Sequence, residues 1–159
     1  MHRTQPAVTA LKVMLVVAFA LLVLFQTMSL PGQFAHMAAE QPDLAYLRWP
    51  MTAFAVVELV CVQVVIVATW KLLAMVETDR IFSEQALRWV DAIVRAIAVA
   101  WVLFLGVFLY AGFTADDPGL PLLLFLLLVA GAVLGLLMVV MRALLRQATA
   151  LRTDLEAVI

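Results

Sequence analysis

Glu58 is the only charged residue in the apolar run from Met51 to Trp70. A carboxyl group inside hydrocarbon is costly, and an intramembrane ionisable residue is a functional hypothesis by default. Its place in the run puts it about 11 Å below the nearer boundary at the α-helical rise. Gln26 and Tyr110 come to about 6 Å and 5 Å below the same boundary on neighbouring helices. The expectation is therefore a Gln26–Glu58–Tyr110 polar cluster, with Cys61 one turn from Glu58 on nearly the same face and Gln63 pointing elsewhere. Such a cluster has two uses. One is a neutral carboxyl hydrogen-bonded across the bundle, since interhelical polar contacts hold membrane helices together. The other is a small-ligand or proton site. Arg95 lies about 14 Å away in depth, so it is expected to snorkel to the interface rather than pair with Glu58.

Little else in the chain has the pattern of a reaction centre. No G-x-S-x-G, H-E-x-x-H or phosphate-binding glycine loop occurs. The two histidines, His2 and His36, fall outside the spans, so a haem held between helices by paired histidines has no ligands. Cys61 has no histidine in its vicinity to activate it. His36, Glu40 and Asp43 have ligand chemistry, but Pro42 interrupts the helical turn that would align them. The reading is a non-enzymatic protein with no catalytic, cofactor-binding or metal residues. A different kind of signal comes from Gly131 and Gly135, a GxxxG pair that permits close backbone approach. Packing against a helix of the same chain is preferred to dimerisation.

Composition dictates where these residues sit. Of 159 residues 67% are hydrophobic and 13% charged, where a soluble domain has roughly 45–50% and about 25%. A spanning helix needs about 20 apolar residues. Four stretches qualify: 13–30, 51–70, 92–113 and 121–141. The first is expected to stop at Pro31-Gly32, and it is too long for the core of a cleaved signal peptide. The fold class is all-α: an integral membrane four-helix bundle of two antiparallel hairpins, with a C-terminal amphipathic helix extension. Eight of the ten Lys and Arg residues fall in the N-terminus, the 71–91 loop and the 142–159 tail, and Arg95 lies just inside the third stretch at the end that adjoins the loop; only Arg48 falls on the other side. The positive-inside rule then puts both termini in the cytoplasm. A net charge of −1 offers no basic field for direct nucleic-acid binding.

The loop and the tail hold the remaining signal. Thr78-Asp79 breaks the second helix, and Ser83 is an N-cap candidate followed by Glu84 in the positive first turn. Glu84–Arg88 and Asp91–Arg95 have the spacing of i,i+4 ion pairs. In the tail, Leu144, Ala148, Leu151, Leu155 and Val158 recur at intervals of 4, 3, 4 and 3, an apolar seam of heptad type. That seam could pack on the loop, lie at the lipid surface or bind a partner helix. Phe82 and the seam residues Leu144, Leu151, Leu155 and Val158 are the candidate partner-binding side chains.

The Asp79-Arg80-Ile81-Phe82-Ser83 turn, with Leu87 and Val90 in the helix after it, and the 144–159 ending resemble the DUF2975 family of bacterial membrane proteins. Asp79-Arg80 stands where that family often places a glycine. The resemblance implies a multi-pass protein of the bacterial inner membrane with no established activity. It also implies a partnership with a small helix-turn-helix transcription regulator, since such regulators are often encoded beside family members. It brings no catalytic residues. Three functions remain: a sensor that binds a soluble regulator through its loop and tail, a small transporter or channel using Glu58, and an accessory subunit of a larger membrane complex. The partners expected are the lipid bilayer, that regulator, and a second copy or another subunit.

Overall fold

The structure, a computed structural model, describes residues 3–158; His2 and the tail's last residue, Ile159, lie outside the described residues. Helix dominates, and four helical stretches are long and apolar enough to cross a membrane: Gln5–Glu40, Pro42–Glu77, Glu84–Thr114 and Gly119–Val158. The chain falls into two compact units, one up to Ile66 and one from Val67.

In the first unit, α1 (Gln5–Leu24) passes through a π-helical turn (Phe25–Ser29) into α2 (Leu30–Glu40). The expected stop at Pro31-Gly32 is therefore not a helix end. The Leu30 N–H donates to the Phe25 carbonyl, five residues back, and the widened turn gives the following Pro31 ring room against the preceding carbonyls. Pro31 then sits in the first turn of α2, where its missing N–H costs nothing. The stretch after it, expected as a loop, is helical to Glu40 and then a 3₁₀ turn, Pro42–Leu47. The next helix, α3 (Arg48–Glu77), carries Pro50 in its own first turn. Arg48 stacks on Trp49 with its cation 4.9 Å from the ring centroid, and in the second unit Lys71 approaches Trp70 at 5.9 Å.

The second unit is organised by a turn and a hairpin. At the end of α3 the Arg80 N–H reaches the Met75 carbonyl at 2.8 Å and the Asp79 N–H reaches Val76 at 3.3 Å. This is the Schellman pattern, and it puts Asp79 in the left-handed region, φ 55°. Ser83 caps α4 (Glu84–Thr114): its Oγ accepts from the Ala86 N–H at 3.3 Å and donates to the Arg80 carbonyl at 2.7 Å. Ala86, Leu87, Val90, Ile93 and Ala96 form the buried stripe of α4.

α5 (Gly119–Val158) runs back along α4 as one continuous helix. The glycine pair sits in this contact. A Cβ on Gly131 would come 3.1 Å from Trp101 Cδ1, and one on Gly135 would come 3.3 Å from Ile97 Cγ2. Trp101 cannot swing aside freely, because its Nε1–H donates to the Leu128 carbonyl at 2.8 Å. Phe108 and Phe125 close the far end of the hairpin, their centroids 5.9 Å apart.

Gly131→Leu is expected to lower stability by about 1–3 kcal/mol, the usual cost of overpacking. Gly106→Leu, where a Cβ meets nothing within 4 Å, is expected to be neutral. Unfolding of the two variants in detergent, side by side, checks the difference.

Candidate functional site

The loop and tail meet at Arg152. Its Nη2 is 3.2 Å from Asp79 Oδ2, its Nη1 donates to the Asp79 carbonyl at 3.4 Å, and its Nε is 3.4 Å from Glu156 Oε1. The same guanidinium lies over the Phe82 ring, 5.8 Å from the centroid. One planar cation thus holds the Schellman turn, the aromatic that precedes the Ser83 cap, and the tail helix. Arginine suits this role because it combines fork geometry with ring stacking. About three turns of α5 nearer the apolar run, Arg142 bonds to Asp91. This differs from the expected Asp91–Arg95 pair: the antiparallel α5 brings a cation to Asp91 from across the hairpin.

These contacts fix which face of the tail is covered. Thr149, between the two arginines, is buried at 6% exposure, and its hydroxyl donates to the Leu145 carbonyl at 2.8 Å. Arg142, Leu145, Thr149 and Arg152 therefore form the inward face. The heptad seam lies about 140° around the helix from it, at 100° per residue. Leu144, Leu151, Leu155 and Val158 are accordingly exposed, from 53% at Leu144 to 85% at Val158. The seam does not pack on the loop; the arginine face does. Phe82 is held at the Arg152 face, apart from the seam.

The intramembrane polar groups are also arranged differently from the expected cluster. Gln26 sits in the π turn, and its Nε2 donates to the Val56 carbonyl at 3.2 Å while its Oε1 accepts from Gln63 Nε2 at 2.7 Å. Val56 and Gln63 are seven residues apart and share one face of α3, so a single side chain bridges both. Gln63, off the Glu58 face as expected, is the partner of Gln26. Glu58 lies on another face, and its buried Oε1 has no hydrogen-bond partner. Cys61, one turn on, is buried. Tyr110 is on α4, in the other unit, and is 47% exposed. His36 pairs with Glu40 at 3.0 Å, and Asp43 lies beyond the end of α2. Among the described residues no group of three or more His, Cys, Asp or Glu side chains is placed to hold a metal ion.

Sequence reasoning missed Asp79 and Arg152 as partners. A signal for them existed. Asp79-Arg80 stands where a helix must stop, and Arg152 flanks the seam on the side of Thr149. Only the antiparallel register of α4 and α5 turns that into a contact.

Residues 32–159 match the family described as protein of unknown function (DUF2975). No curated protein and no solved structure matches the chain.

Arg142→Gln is expected to destabilise the hairpin by leaving the Asp91 carboxylate without its cation. Asp91→Asn in the same chain should recover most of that loss. A double-mutant cycle on detergent unfolding should give a coupling of about 1 kcal/mol for a pair this accessible; additive effects would mean that the bridge does not set the packing.

Proposed function

The chain belongs to the DUF2975 family, and from that premise we propose that it is a non-enzymatic membrane protein whose loop and tail, on the cytoplasmic side, bind a soluble regulator. The observation that carries this reading is the exposed seam. Leu144, Leu151, Leu155 and Val158 form an apolar stripe on a helix whose other side is already fastened to the loop. Lipid does not account for the far half of the stripe. A straight α5 whose apolar run ends near Met141 carries Leu151 and Val158 about 15 and 26 Å beyond that end. An apolar helical stripe in water fits a partner groove or a partner helix. The charge asymmetry favours a cytoplasmic location for it. A small helix-turn-helix transcription regulator is the partner the family resemblance suggests. Binding would hold it at the membrane, and a change in the hairpin would alter its availability.

Purification of the native full-length protein after mild solubilisation is expected to bring a helix-turn-helix protein with it. Leu151→Glu combined with Leu155→Glu should remove that protein, with about tenfold or more lost in affinity per leucine. The helical signal and the melting of the membrane part should stay unchanged, since neither residue is packed. Recovery of the partner with the double variant at wild-type levels would exclude the seam.

The unpartnered Glu58 Oε1 favours a second reading, a small transporter or channel with Glu58 as the coupling carboxylate. An acid inside a membrane is a natural relay or ion site. That reading predicts proton flux into vesicles reconstituted with the purified protein, lost in Glu58→Gln at unchanged stability. Flux no greater than in empty vesicles ends it.

A further inference from the structure

The back of α4, turned away from α5, carries a stripe of a second kind. Arg88, Arg95, Val99, Val102, Leu109 and Phe113 succeed one another at intervals of 7, 4, 3, 7 and 4, which keeps them on one face of a helix. All six are exposed. The apolar part, Val99 to Phe113, extends for about 21 Å, more than the ~15 Å of one leaflet's hydrocarbon. Two guanidiniums stand at one end of it, and neither makes an ion pair or hydrogen bond among the described residues.

The reason lies in the hairpin. The acid with the spacing to serve Arg95 is Asp91, and Asp91 is taken by Arg142 from α5. The acid with the spacing to serve Arg88 is Glu84, one turn farther from the apolar stripe, and it does not bridge to Arg88. Arg95 is thus left at the edge of the apolar stripe without a counter-ion. A cation there is expensive. An arginine side chain is long enough to reach back toward the water side, and the two residues are separated by about 10 Å of helix axis on one face, within reach of a common headgroup layer. The anion found at that depth is the lipid phosphate, and guanidinium matches its geometry with paired hydrogen bonds.

We propose that Arg88 and Arg95 with the Val99–Phe113 stripe form a binding site for an anionic phospholipid, the phosphate held by the two arginines and an acyl chain lying along α4. The site takes Arg88 from the loop segment but uses none of Phe82, Leu144, Leu151, Leu155 and Val158. Each arginine near a negatively charged surface is worth roughly a fivefold gain in anionic-lipid affinity.

The test uses the full chain, purified and delipidated in detergent, with phosphatidylglycerol or phosphatidylcholine added back and bound lipid counted by native mass spectrometry. Wild type is expected to retain phosphatidylglycerol in preference to phosphatidylcholine. Arg88→Gln combined with Arg95→Gln should lose at least about fivefold of that preference, while Arg146→Gln, which removes a charge from α5, should keep it. Equal preference in wild type and the double variant, or equal loss with Arg146→Gln, overturns the proposal. Inorganic phosphate is the second arm. It should not displace the lipid, because it has no chain for the stripe; displacement by phosphate alone would show a bare anion site and overturn the lipid assignment. Both arginines are exposed, so the double variant is expected to melt as wild type does.

Discussion

The rotation of α5 about its own axis decides what the charged end of the hairpin presents, and the stripe that meets α4, from Leu128 to the Arg142–Asp91 contact, defines that rotation. A helix packs through one stripe only, so a residue that faces the neighbour fixes the direction of every other. Leu128, Gly131, Gly135, Arg142, Thr149 and Arg152 lie on one such stripe. In the apolar part the stripe is defined by close approach, with glycines under an indole and an isoleucine. In the charged part it is defined by arginines reaching carboxylates. The two parts agree in phase over the length of the helix. Had α5 turned so that the leucine seam met the loop, Arg142 would have faced away from Asp91 and the glycines would have left Trp101.

Lipid explains why the two parts use different chemistry. Between helices in hydrocarbon there is no hydrophobic driving force, so contact depends on fit and on polar groups that have no water to return to. The Trp101 indole N–H and the Gln26–Gln63 amide pair are such groups. Each is satisfied by a carbonyl or an amide of a neighbouring element. Beyond the apolar run water is available, single ion pairs weaken, and the chain uses several at once: Arg152 contacts two carboxylates, a carbonyl and a ring. The same arithmetic leaves Arg88 and Arg95 without acids. The carboxylates near them are fewer than the cations, and the hairpin's own register takes Asp91.

Much of this was legible in the residues. Length and polarity place the apolar runs, because lipid sets both directly. Ser83 could be read as a cap, since the motif is local: a hydroxyl, three residues and an amide. The rest depended on register, which no local pattern contains. Pro31-Gly32 reads as a stop in any α-helical register, and only the π turn before it lets the helix continue. Asp91 reads as the partner of Arg95 when one helix is considered, and becomes the partner of Arg142 when the antiparallel helix is added. Gln63 reads as unrelated to the polar cluster because it is not on the face of Glu58; it shares a face with Val56, and the π turn brings Gln26 to both.

Glu58 belongs to neither kind of packing, and that is why it is informative. Gln26 and Gln63 reach across to each other within one shared face of α3. Glu58 is on a different face, near the buried Cys61, with an oxygen that has no hydrogen-bond partner among the described residues. A carboxyl kept for helix packing would be expected to have found a donor, since an unmade hydrogen bond in a buried place costs more than an apolar side chain of the same size. Gln26 was close in sequence depth and is committed elsewhere. Packing alone therefore gives no reason for an acid at this position. Among the described residues its Oε1 stays outside the hydrogen bonds that hold the helices to one another.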